Sequence, residues 1–175
     1  MPAADEPIEI ASEQWDGRRV VAVTLDRPEA VDLTLDNCDL AGVTSTGGSF
    51  RRVTVRRTRL RDCTFGGGIV QDVAVDACTG ERLSARFSTL QRVVVEDSRL
   101  PGFDLYGATL DKVVFRDCDL TGAAFDGVTV KELRLERCTL TGITGVTSLR
   151  GAEVDFDDLM TLAPSMAKEL GLKVR

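Results

Sequence analysis

From Leu35 to Gly145, every fifth residue belongs to one unbroken column. Nineteen of its 23 members are large and apolar. The exceptions are Ser45, Gly80, Ala85 and Gly145. The residues two places earlier form a second column, from Leu33 to Ile143, and none of the 46 side chains in the two columns is charged. All thirty charged residues between Asp36 and Arg137 fall on the other three positions of each pentad. A period of five matches neither a helix nor an alternating strand. It suits a chain that turns a corner every five residues, with two side chains inward and three outward per segment.

A second period lies above the first. Cys38, Thr58, Cys78, Ser98, Cys118 and Cys138 are all small, and Leu33, Val53, Val73, Val93, Val113 and Leu133 are all bulky. Members of each set are 20 residues apart. Between Asp36 and Arg137, 13 opposite-charge pairs and only three like-charge pairs occur at that separation. Opposite charges across neighbouring strands stabilise a sheet and like charges weaken it. Both observations predict a coil of four pentads.

Segments such as CDLAG (38–42), ATLDK (108–112), CDLTG (118–122) and CTLTG (138–142) carry the pattern most plainly. They resemble the pentapeptide-repeat family, whose motif is roughly A(D/N)LXX. The resemblance covers about residues 31–145. It implies an all-β, right-handed quadrilateral parallel β-helix of about six coils with a short C-terminal α-helical cap. The expected organisation is an N-terminal cap segment over 1–30, the β-helix over 31–147 and a helical cap or dimerisation segment over 148–175. Stability in such a rod is a sum of coil and neighbour contributions, and its ends must be covered because an open coil exposes a strand edge. After SLRGAEV, the run FDDLMTLAPSMAKELG reads as helix. Asp157 or Asp158 starts it, Pro164 marks a break or second start, and Gly171 is a natural stop.

Composition limits the chemistry. The chain has no His, which removes the commonest general base and metal ligand. Its five Cys show no metal-like spacing, so the Cys column is read as small buried packing, although a Cys118–Cys138 disulfide is geometrically conceivable. No site brings a nucleophile, base and orienting group together. No catalytic residue, cofactor or metal is expected. The acidic N-terminus lacks a hydrophobic export segment, and no membrane span is visible, so the expected location is cytoplasmic.

Candidate surfaces remain. Arg51, Arg52, Arg56, Arg57, Arg59 and Arg61 form a basic cluster. The coil register sets Asp32 and Asp72 beside Arg52, Asp36 and Asp76 beside Arg56, Asp39 beside Arg59, and Glu81 beside Arg61. The cluster therefore reads as a salt-laced face or as a partner or anion site. Phe87 and Tyr106 point outward on adjacent coils, and Arg86 should lie beside Tyr106. Leu159, Leu162, Met166 and Leu170 share one helix face, with Met160, Ala163 and Ala167 beside it, and are candidates for homodimerisation. Leu149, Val154 and Phe156 are expected to cover the last coil.

The leading functional expectation is a non-catalytic scaffold for protein–protein interaction with an unidentified partner and no direct nucleic-acid binding. The family resemblance implies an alternative, because some members, including quinolone-resistance factors, mimic DNA and occupy the DNA-binding surface of DNA gyrase. The net charge of −6 suits that alternative. The +6 of residues 51–61 does not.

Overall fold

The computed structural model describes residues 8–173 and 175. The chain winds as a parallel β-solenoid of seven coils. Backbone pairing joins each residue to the one 20 places on, as in Ile10 with Ala30, Val55 with Val75, Leu90 with Leu110, and Ser84 with Asp104. Coil 1 covers residues 8–27, and each later coil starts 20 residues further on. The centre column supplies one side chain per face.

Faces one and two carry the longest strands. In coils 4 to 7 these are Ile69–Asp76, Thr89–Glu96, Thr109–Arg116 and Thr129–Glu136, each running through the corner between the two faces. Their β-branched sequences fit a pleated, packed surface. The register slips once, between Asp111 and Glu132.

The second residue after each centre adopts a left-handed backbone at nearly every corner. From coil 4 onward, faces three and four also close their corners with turn hydrogen bonds, such as Phe103 N to Leu100 O at 3.2 Å and Ala108 N to Leu105 O at 2.9 Å. Leu100-Pro101-Gly102-Phe103 shows why. Proline presets the first corner residue, and Gly102 takes φ +67° without side-chain strain.

The core is the lumen of the coil. Leu110, Phe115, Leu120 and Phe125, one on each wall of coil 6, are fully buried, as the pentad register requires. All five cysteines are free and buried, and Cys118 and Cys138 donate their thiols to the backbone oxygens of Val95 and Phe115 at 3.4 and 3.3 Å. Burial pushes the Cys63 and Cys78 thiols up from their ordinary range.

Residues 1–30 were expected as a separate cap, but from Glu9 onward they are coil. Strands Glu9–Ala11, Gln14–Asp16, Arg19–Val21 and Thr24–Asp26 pair in register with coil 2. The centre column therefore starts at Ile10 and continues through Trp15, Val20, Leu25 and Ala30, which makes seven coils instead of six. Glu13 and Arg18 occupy the second column there and hide the repeat. Residues 1–7 of the expected cap lie outside the described residues.

At the other end, a 3-10 turn Val146–Leu149 leads to a short strand Glu153–Val154 on face two and the helix Phe156–Glu169. The helix starts before the expected Asp157 or Asp158, with Asp155 at its N-cap, and runs through Pro164 without ending. Among the described residues, no helix is long and apolar enough to cross a membrane.

Candidate interaction surface

The C-terminal helix does two jobs with two sides. Its inner side replaces the missing eighth coil. Asp155, Asp158 and Thr161 accept the backbone N–H groups of Arg137, Cys138 and Leu140 at 3.0, 2.6 and 3.3 Å. Glu169 accepts those of Val146 and Thr147, both at 3.0 Å. Asp158 stands 20 residues after Cys138 and continues the column in which Thr58 and Ser98 accept the N–H of Cys38 and Cys78. The acceptor was thus present in the periodicity. Burial raises the Asp158 carboxyl above the ordinary range, against the Cys138 N–H that favours its charged form.

Leu162 is buried and Met166 half-buried against the core, so half of the expected dimerisation stripe serves as cap. Leu159 and Leu170 stay exposed. Leu149 is buried and Val154 half-buried as expected, but Phe156 is 78% exposed. Helical geometry explains the split. Leu159 and Met166 differ by seven residues and share a face, but that face meets the coil only near Met166. The outer side carries Phe156, Met160, Ala163, Ala167 and Leu170, spaced four, three, four and three. That is the a/d spacing of a helix–helix seam. Met160 is 67% exposed.

The second surface lies at the corner of coils 4 and 5. Phe87 and Tyr106 meet edge to face with ring centroids 5.4 Å apart. The Arg86 guanidinium lies 4.7 Å from the Tyr106 ring centroid, as the 20-residue register predicts. Asp104 holds the group from below. One of its carboxylate oxygens accepts the Tyr106 backbone N–H at 3.0 Å, and the other faces Arg86 at 3.6 Å. Phe87 has φ +59°, a conformation that bulky side chains seldom adopt. Its ring lies where a Cβ on Gly107 would sit, 2.6 Å from that position, so Gly107 makes the room. Periodicity located both rings. The left-handed corner beneath Phe87 was not legible, because most corner residues are not glycine.

The basic cluster does not form one patch. Residues 51–61 run round two corners, so its members sit on different faces. Arg52 donates to Asp32 through Nε and Nη2 at 2.6 and 2.9 Å. Asp36 pairs with Arg57 and not with Arg56, and Asp39 pairs with Arg61 at 3.1 Å and not with Arg59. Arg57, at the corner, turns to Asp36, and Arg61 reaches Asp39 across its own face. Among the described residues, Arg51, Arg56 and Arg59 have no ion pair within 4 Å.

Elsewhere the corner column is an alternating ladder. Arg82 pairs with Asp62, Arg92 with Asp72 and Arg137 with Asp117, each through two nitrogens. These hydrogen bonds hold Asp32, Asp62, Asp72 and Asp117 below the usual carboxylate range. Arg116 bridges Glu96 and Glu136 in the same way on face two.

The family model for pentapeptide repeats matches residues 89–127 and 104–142. Residues 89–142 thus match the pentapeptide-repeat family, and the coils carry the pentapeptide-repeat fold. Among curated proteins, none matches the sequence. Similar solved structures include QnrB1, a plasmid-mediated fluoroquinolone resistance protein, at 13% identity and TM-score 0.36 over 95% of this chain and 99% of that one. HetL, a pentapeptide repeat protein involved in heterocyst differentiation regulation from the cyanobacterium Nostoc sp. strain PCC 7120, aligns at 14% identity and TM-score 0.33, covering 83% of this chain and 76% of that one.

Proposed function

We propose that this pentapeptide-repeat rod is a non-catalytic, homodimeric scaffold that binds a protein partner through the Arg86–Phe87–Tyr106 corner. The observation that carries the reading is the exposed aromatic pair, Phe87 at 62% and Tyr106 at 41% exposure, packed edge to face with the Arg86 guanidinium beside it. Arginine and tyrosine are enriched among the residues that dominate protein interfaces. The dimer forms through the helix seam of Phe156, Met160, Ala163, Ala167 and Leu170, whose spacing suits an isologous twofold contact.

A photo-crosslinker at position 106 tests the partner site. Its adducts should disappear when Phe87 is replaced by Gly, and adducts that persist would place the partner elsewhere. The second reading, a DNA-mimicking modulator of DNA gyrase, is favoured by the net charge of −6. The alternating Arg–Asp ladders oppose it, because they neutralise the faces that a DNA mimic needs to be anionic. A supercoiling assay with and without a fluoroquinolone separates the two. Inhibition or protection at micromolar protein would favour mimicry over the scaffold.

A further inference from the structure

The lumen is not equally full along its length. In coils 5 to 7, Leu105, Leu110, Phe115, Leu120, Phe125, Leu135 and Leu140 have no exposure at all. In coils 1 to 4, the centre residues Ile10, Trp15, Val20, Phe50, Phe65, Val70 and Val75 are only partly buried although they point inward. Volume explains the difference in coils 2 and 4, whereas coil 3 is bulky, with Phe50 and Phe65 edge to face at 5.6 Å between ring centroids. Coil 4 has Val70, Val75, Gly80 and Ala85 at its four centres, and coil 2 has Ala30 and Ser45 at two of its own. A coil of fixed circumference with such small side chains cannot fill its axis.

The result is one apolar cavity of about 420 Å³, lined from Ile10 and Trp15 in coil 1 down to Leu100 and Phe103 in coil 5. Four coil spacings make it about 19 Å long. That length and volume leave room for one extended chain. Every lining side chain is apolar. Dry apolar cavities of about 150 Å³ take up benzene. Among the described residues nothing crosses the coil 1 end. That rim is polar. Glu13 accepts a hydrogen bond from the Trp15 indole, and the Arg18 guanidinium stands 5.0 Å from the Trp15 ring centroid.

We infer that the lumen of coils 1 to 5 is a binding site for the unbranched aliphatic chain of an amphiphile, with its head group at the Arg18 rim. A long apolar channel with one polar mouth matches that ligand in shape and chemistry. The site is independent of the corner surface.

Equilibrium dialysis of the full chain with decanoic, dodecanoic and tetradecanoic acids, below their micelle concentrations, tests it. Each buried methylene should raise affinity roughly fourfold, so affinity should climb through the series. Ala85→Leu plugs coil 4, and should abolish the gain from dodecanoic to tetradecanoic acid. Ala30→Leu narrows coil 2, and should weaken all three acids at least tenfold. Circular dichroism selects the variants that keep the fold, and either variant alone decides the question. Absence of chain-length-dependent binding to the wild type would overturn the inference. So would unchanged tetradecanoate binding in either folded variant.

Discussion

The C-terminal cap rests on Asp158, and two substitutions there separate its parts. Asp158→Ala removes the acceptor for the Cys138 N–H, now made at 2.6 Å in a buried setting. An orphaned buried donor costs about 1–3 kcal/mol. Asp158→Asn keeps an acceptor oxygen and discards the buried charge. At neutral pH it should therefore lie within about 1 kcal/mol of wild type. The sign with pH follows from the raised carboxyl. Its ordinary value is 3.8 and its folded value is higher. Its protonation thus favours the folded state. That contribution is fully present below pH 3.8 and is lost as pH rises through the folded value. Asp158→Asn should remove this dependence. Urea unfolding gives the stabilities, and amide exchange at Cys138 localises the effect, since coils in a solenoid open from their ends. Equal stabilities for the Ala and Asn variants would refute the role of the acceptor.

Other outcomes follow from the same geometry. Phe115→Ala, in the filled part of the lumen, should cost about 3–5 kcal/mol in urea unfolding. Val75→Ala, beside the existing void, should cost less than about 1.5 kcal/mol, because its side chain has fewer packed neighbours to lose. The ladder aspartates Asp32, Asp62, Asp72 and Asp117 have depressed folded values, so their contribution is present above pH 3.8 and is lost as pH falls. A urea series in acid should show that loss, and added salt should shrink it because the pairs are exposed. Light scattering of the wild type should give twice the 19.0 kDa chain mass, and Met160→Asp with Ala163→Asp should return the monomer.

The coil was legible because a column of 23 centre residues leaves no room for another period. The charge pairing at 20-residue spacing supplied the circumference without any structural information. What failed was local. Coil 1 was missed because Glu13 and Arg18 stand in columns that are apolar elsewhere, and only a coil facing solvent at its end tolerates them. The ion partners of Arg56 and Arg59 were misplaced because column arithmetic locates Cα atoms, whereas a guanidinium reaches into a neighbouring column. Leu162 and Met166 were expected on the dimerisation stripe but cover the coil, because the angle at which a helix meets a coil end depends on the preceding turn. Gly145, at φ +75°, and the 3-10 turn after it set that angle. The hollow lumen was partly visible in Gly80 and Ala85. Leu83 and Leu100 fill the place of the missing Gly80 side chain, where a Cβ would stand 3.4 and 2.8 Å from them, and both also line the cavity.

The central claim is that Phe87 is kept for recognition and not for folding. The most direct measurement is the urea unfolding free energy of Phe87→Gly. Glycine takes the φ +59° corner without the penalty of about 1 kcal/mol that a side chain incurs there. The ring it removes is mostly exposed. The variant should be as stable as wild type or more stable by up to about 1 kcal/mol. A loss of more than about 1 kcal/mol would make Phe87 a structural residue and contradict the claim.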